Sequence, residues 1–90
     1  MLYRGRLAVM VDVIKVIREN GRLRPTHIMY KANLSHKLLK ECLHSLTENG
    51  FLQETIDNGN TYFIVTKKGE EFAFEFSKLK KLTSNFDWPS

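Results

Sequence analysis

Five side chains between positions 35 and 44 have the chemistry to bind a polyanion and to hydrogen-bond with base edges. They are Ser35, His36, Lys37, Lys40 and His44. A lysine ammonium group donates to phosphate oxygens and to guanine O6 and N7, neutral imidazole donates or accepts, and a serine hydroxyl reaches phosphate. At about 100° per residue, Lys37, Lys40 and His44 lie opposite the apolar face of one helix, and His36 lies at its border. A solvated helix face would also explain a few Lys and His residues, so the elements that position them matter.

Those elements are predicted to be two short helices joined by a tight turn, within residues 25–50. Pro25 fits a first helical turn, where its missing N–H costs nothing. Asn33 tolerates left-handed backbone angles, and Ser35 is a good N-cap for the second helix, which ends at Gly50. The apolar face of that second helix consists of Leu39, Cys42, Leu43 and Leu46. This arrangement is typical of proteins that place an exposed helix, here residues 35–49, in a DNA major groove.

Residues around the turn are candidates for holding backbone phosphates of double-stranded DNA. These candidates are Arg24, Thr26, Lys31 and Asn33. Arg4, Arg6 and Arg22 are weaker candidates, because such arginines are often simply solvated. The alternative is a protein-interaction module of the same fold that does not bind DNA. Glu41 and Glu48 favour it, since they give the exposed helix face a mixed charge.

Composition points to one small basic domain. The 90 residues carry 14 Lys and Arg against 10 Asp and Glu, a net charge of +4. Residues 1–50 hold nine of the basic and four of the acidic residues, so the excess lies with the helix pair. A basic surface attracts phosphate through counterion release. The single cysteine fits a reducing compartment, and we expect a cytoplasmic, nucleoid-associated protein.

The remaining elements are a first helix, a hairpin and a last helix. Helical spacing predicts a helix over residues 7–19, whose apolar residues cover more than half of its circumference. Residues 51–56 and 61–66 are rich in β-formers, and the Asn-Gly between them predicts a hairpin, or wing. The wing tip contains no Lys or Arg, so we expect it to contribute only hydrogen bonds to DNA. Thr66 is predicted to cap a helix that runs to about residue 83 or 86.

The predicted fold class is α+β and mainly helical, with three helices and a β-hairpin wing forming a winged helix-turn-helix. A C-terminal dimerisation helix follows. The predicted boundaries are 1–66 for the DNA-binding domain, 67–86 for the dimerisation helix and 87–90 for a tail.

Apolar surfaces on the first and last helices exceed what one small domain obviously covers. We expect them to meet in a homodimer. The alternative is that both close the core of a monomer. Phe74 lies on the opposite side of the last helix, so we expect it to pack into its own domain. The predicted dimer residues are Val9, Val13, Val16, Phe72, Phe76, Leu79, Leu82 and Phe86.

Enzymatic, metal and membrane functions find no support in the sequence. There are no paired acids, no Gly-rich phosphate loop and no nucleophile with a base. His27, His36 and His44 with one cysteine offer no metal-ligand spacing, and Cys42 is expected to be a buried, inert thiol. No apolar run approaches a membrane span. We therefore expect no enzyme activity, cofactor, metal or small-molecule ligand.

One motif resembles a known family. The block IMYKANLS, followed by Leu39, Leu43, Leu46, Gly50-Phe51-Leu52, Tyr62, Thr66 and Lys68-Gly69, is similar to small archaeal winged helix-turn-helix proteins described as predicted transcriptional regulators. That family includes archaeal chromatin proteins that dimerise through an antiparallel coiled coil of their last helices. The resemblance runs from Arg4 or Arg6 to about Phe76 and implies a dimeric regulator or small nucleoid protein.

The chain departs from this family at three positions and in the length of its last helix. The family tends to carry an aromatic residue at position 36, Gln at 38 and often an aromatic residue at 42. Here these are His36, Leu38 and Cys42. The first two open the reading helix, so sequence preference is expected to differ. The last helix is also shorter, which implies a compact dimer contact.

Overall fold

The computed structural model describes residues 5–82, and every predicted element is present there within a few residues of its expected bounds. The elements in chain order are α1 (Arg6–Asn20), α2 (Pro25–Ala32), α3 (His36–Glu48), β1 (Leu52–Asp57), β2 (Asn60–Val65) and α4 (Lys67–Leu82). The mainly helical α+β class and the winged helix-turn-helix order are therefore confirmed. None of the helices in the described range is long and apolar enough to span a membrane.

The wing is a two-stranded antiparallel hairpin closed by the predicted Asn-Gly turn. Asp57 pairs with Asn60 at the tip, and Asn58 and Gly59 between them have φ of 52° and 76°. Positive φ at both central residues is the signature of a tight turn whose twist matches the strands. The register follows from this turn and places Leu52 and Phe63, the buried residues of the two strands, on the same face of the hairpin.

A short extended segment before α2 joins this sheet. Leu23 and Phe63 exchange two backbone hydrogen bonds, with N···O distances of 3.2 and 2.8 Å. Both side chains are buried in the same core. The loop between α1 and α2 is thereby attached to the wing along its outer edge.

Helix α1 lies at the centre of the core and corrects the predicted dimer surface. Val9 and Val13, which were expected to contact a second chain, are 4% and 0% exposed within this one. Val16 is partly buried and packs against the same core. The reason is that α1 contacts α2, α3, β2 and α4, so it must be apolar over most of its circumference. The buried residues of α1 are Val9, Val11, Val13, Ile14 and Ile17.

The start of α4 is fastened to the end of α3. The hydroxyl of Thr66 donates to the Gly50 carbonyl at 2.6 Å and accepts from the Gly69 N–H at 3.0 Å. Lys68 Nζ donates to the Asn49 carbonyl at 2.9 Å. Thr66 is thus the N-cap, as predicted, and it also joins two elements.

The apolar residues of α4 divide differently from the prediction. Phe72 stacks on Phe51 of its own chain, with ring centres 4.5 Å apart and planes at 12°, and Phe76 packs partly against the core. Phe74, expected inside the domain, is 60% exposed. The first turns of α4 must cover the core beside α1, so the residues facing α1 become internal. Leu79 and Leu82 are 52% and 76% exposed, and Phe86 lies outside the described residues.

Replacing Gly69 by Ala tests the close approach of α4 to the end of α3. Gly69 is buried, and a Cβ atom there would collide with the backbone carbonyl of Phe51. Backbone cannot yield as a flexible side chain can, so we expect Gly69→Ala to lower the free energy of unfolding by about 1–3 kcal/mol. Urea unfolding followed by circular dichroism measures this.

The matched control is Lys67→Ala, an exposed position in the same helical turn. It is expected to change the unfolding free energy by less than about 0.5 kcal/mol. Equal stability of the two variants would contradict the close packing at Gly69.

Candidate nucleic-acid interface

The turn between α2 and α3 has the geometry expected of a helix-turn-helix. Asn33 adopts the left-handed conformation, with φ and ψ both 56°, and its N–H bonds to the Tyr30 carbonyl at 3.3 Å. Leu34 is buried and donates its N–H to the Met29 carbonyl at 3.0 Å. Ser35 then caps α3, because its hydroxyl accepts the Leu38 N–H at 3.2 Å. Asn33 and Ser35 therefore shape the turn in addition to being exposed.

The predicted contact residues of α3 come together on one exposed face. His36, Lys40, His44 and Lys37 all lie within an arc of about 100° of the helix surface. The buried residues Leu39, Cys42, Leu43 and Leu46 occupy the other side. No salt bridge engages Lys37 or Lys40 among the described residues. This arc is called the basic face below.

A neighbouring acid on α3 is already neutralised. Glu41 Oε1 lies 3.2 Å from Arg6 Nη2 at the start of α1. An exposed pair of this kind contributes little to stability, but it removes one negative charge from the edge of the basic face. The mixed charge that favoured a protein-docking helix is therefore smaller than the sequence suggests.

Helix α2 presents its candidates on two different sides. Thr26 lies beside α3, and Tyr30, one turn later, is 75% exposed. Lys31 is exposed about 140° around the helix from Thr26, on a different side. Arg24 is exposed and extended just before α2. Tyr30 was not among the residues predicted from the sequence to contact DNA. Its position on the polar side of a short helix could have indicated that it is exposed.

An open cleft of about 400 Å³ lies between the helices α2 and α3 and the wing. Its floor is apolar, and two residues of the basic face, His36 and Lys40, stand at its rim with Thr26. Glu54 and Thr61 of the wing form the opposite rim. The cleft depends on the spacing of three elements, so no local pattern predicts it.

The wing carries a cation that its own sequence lacks. Arg22 Nη1 lies 3.1 Å from Asp57 Oδ2, and the guanidinium carbon lies 4.0 Å from the ring centre of Tyr62. Arg22, a weaker phosphate candidate in the sequence, therefore has specific partners on the wing and is half-exposed beside them. Arg22 and Asp57 are 35 residues apart in the chain. The backbone pairing of Leu23 with Phe63 brings Arg22 to the wing.

The core side of α3 carries no reactive chemistry. Cys42 is fully buried, as expected. Burial raises the pKa of its thiol above the usual value; the charge of Arg6 lowers it in part, and that of Glu41 raises it further. The thiol is therefore protonated at neutral pH and is a poor nucleophile. Within residues 5–82 no three His, Cys, Asp or Glu side chains are grouped to hold a metal ion.

Comparison with known proteins agrees with this architecture. The chain is 36% identical over 70 residues to the transcriptional repressor CcpN of Bacillus subtilis (strain 168), a match that covers 78% of this chain and 31% of that protein. It thus spans about a third of that curated relative.

Two solved structures share the fold at low sequence identity. Sso10a-2, a DNA-binding protein from Sulfolobus solfataricus, superposes with a TM-score of 0.80 at 21% identity, covering 91% of this chain and 84% of that one. The oxidised form of MarR from E. coli gives 0.74 at 17% identity, covering 89% and 63%. The sequence model of the winged helix-turn-helix family matches residues 3–84, and the chain belongs to that family.

Proposed function

We propose that this protein binds double-stranded DNA and acts as a transcriptional regulator or small nucleoid protein, with α3 as the reading helix. The observation that carries the proposal is the basic face, which brings His36, Lys37, Lys40 and His44 together without an acidic partner among the described residues. A helix that enters the major groove contacts bases mainly through its first turns, and these residues occupy the first turns of α3.

Exposed polar side chains near the helix-turn-helix are proposed to contact backbone phosphates. Ser35 is exposed just before α3, Thr26 lines the cleft beside His36, and Arg24 is exposed just before α2. Phosphate contacts fix the register of a protein on the duplex, and base contacts then select sequence. Lys31, on another side of α2, is proposed as a peripheral phosphate contact.

Similar proteins favour binding over catalysis. CcpN is named as a transcriptional repressor and Sso10a-2 as a DNA-binding protein. We propose that this chain likewise has no enzymatic activity and works on DNA in the cytoplasm, associated with the nucleoid. A site-specific regulator and a general DNA-coating protein differ in how salt affects their binding to DNA. A salt series on random and genomic fragments distinguishes the two.

We further propose that the protein is a homodimer that pairs through the C-terminal half of α4. Leu82 is 76% exposed and Leu79 is 52% exposed, one turn apart on the same helix. They continue the apolar line of Phe72 and Phe76 beyond the part of α4 that covers the core, and Phe86 extends the spacing in sequence. A two-fold pair of such helices would bury these leucines and present two reading helices to one duplex.

The double variant Lys37→Glu with Lys40→Glu is expected to abolish duplex binding. It removes two cations from the basic face and adds two charges that repel phosphate. Each lost phosphate contact is expected to lower the slope of log K against log salt by about 0.9. Fluorescence anisotropy of a labelled duplex over a salt series measures it, with random and genomic fragments. Binding that weakens equally on every fragment indicates a nucleoid role; a fragment that keeps its advantage at higher salt indicates a site-specific regulator.

The charge-matched control is Lys80→Glu with Lys81→Glu, in the exposed last turn of α4. It is expected to keep most of the wild-type affinity. Unchanged binding in the α3 variant would refute the reading helix. A wild-type protein that does not bind duplex DNA at low salt but retains a protein partner in pull-downs would support the alternative, a protein-interaction module.

Leu82→Asp is expected to convert the dimer to a monomer, because it places a carboxylate in the proposed apolar contact. Light scattering at micromolar concentration measures the mass, and circular dichroism confirms that the helix content is kept. Phe76 is unsuitable for this test, since it packs partly in the core.

Phe74→Asp is the matched control, an exposed apolar position two turns before Leu82 and about 140° around the helix from Leu79. It is expected to leave the dimer intact. A monomeric wild type would refute the dimer, and dissociation by Phe74→Asp alone would place the contact on the other side of α4.

A further inference from the structure

The wing is the one part of the DNA-facing side whose own sequence opposes a phosphate contact. Residues 52–65 contain Glu54 and Asp57 and no Lys or Arg. A hairpin with that composition should be repelled by the duplex that the basic face attracts. Arg22 changes this balance, although it belongs to the loop between α1 and α2.

Backbone pairing determines where Arg22 lies. Leu23 is hydrogen-bonded in register with Phe63, and both side chains point into the core. Because side chains alternate along extended chain, Arg22 lies on the opposite, outer face of the sheet, where Tyr62 also points. The guanidinium stacks 4.0 Å from the centre of that ring. The stack holds the arginine along the strand, directed to the wing tip.

At the tip, Arg22 has a weak partner and free donors. Nη1 bonds to Asp57 Oδ2 at 3.1 Å, and about half of each side chain is exposed. A guanidinium has five N–H donors in a planar fork, and no other partner for it is present among the described residues. An exposed pair of this kind is worth little, so a phosphate can take the place of the carboxylate at small cost.

We propose that Arg22 is the phosphate-binding residue of the wing, held over Tyr62 and shared between Asp57 in the free protein and a backbone phosphate of the duplex in the complex. Asp57 keeps the arginine extended but competes with DNA for it. The inference rests on the proposed function, because it assigns a second contact to the same DNA-binding surface. It also explains how a wing without basic residues can lie against a polyanion.

The test measures the salt dependence of duplex binding for Arg22→Gln, Arg22→Lys and Asp57→Asn by fluorescence anisotropy. Loss of one phosphate contact should lower the slope of log K against log salt by about 0.9, which is roughly eightfold in affinity at 0.1 M salt. Arg22→Lys should keep the slope but bind more weakly than wild type, because an ammonium lacks the bidentate fork. Asp57→Asn should bind more tightly than wild type.

Lys81→Gln is the charge-matched control for Arg22→Gln. Lys81 lies in the last turn of α4, 14 residues after the helix begins, or roughly 20 Å along its axis. Its slope should equal that of wild type. Thermal unfolding of each variant shows whether the hairpin and the loop remain paired.

Two results would overturn the assignment. One is a slope for Arg22→Gln equal to that of Lys81→Gln; the other is weaker binding by Asp57→Asn than by wild type. Suppose that the wild type binds duplex DNA and the double variant Lys37→Glu with Lys40→Glu does not. Either result would then refute the wing contact while the proposed role of α3 is retained. A wild type that fails to bind duplex DNA would remove both.

Discussion

Burial of α1 is the constraint on which the other elements depend. Five of its apolar residues are excluded from solvent, and α2, α3, β2 and α4 each pack against it. Fully burying an Ile or Val contributes about 1.5–3 kcal/mol each, so this helix supplies much of the driving force for a small domain. Because α1 is enclosed, α3 can bury only its Leu39, Cys42, Leu43 and Leu46 side against the core. The basic face is exposed as a consequence.

A second junction couples the end of α3 to α4. Thr66 and Lys68 donate hydrogen bonds to the carbonyls of Gly50 and Asn49, which directly follow α3. Phe72 of α4 stacks on Phe51, the next residue in the chain after Gly50. These contacts satisfy carbonyl groups that a helix end would otherwise leave open. They also orient α4 relative to α3. In the proposed dimer, the distance between two reading helices would therefore be determined by this junction together with the pairing of the α4 ends.

Charge on the proposed DNA-binding side depends on contacts between residues distant in sequence. Glu41 is neutralised by Arg6, 35 positions earlier, and Asp57 by Arg22, again 35 positions earlier. Both pairs are exposed and weak as stabilising interactions. Their larger effect is on the field that an approaching phosphate meets, since each removes an isolated negative charge beside a proposed contact. A count of charges along the chain does not contain this information.

Local patterns were enough to predict the helices, the turn at Asn33, the caps at Ser35 and Thr66, and the Asn-Gly hairpin, because each depends on the backbone preferences of a few adjacent residues. They also separated the basic and buried sides of α3, since helical period alone decides that. The assignment of Val9 and Val13 to a dimer, and of Phe74 to the interior, was wrong. An apolar surface can be covered by its own chain or by another, and only the packing of α4 against α1 decides between them. Arg22, the Glu41 pair and the cleft beside the wing were likewise decided by tertiary structure, because strand pairing and helix packing bring together groups whose separation in sequence carries no local signal.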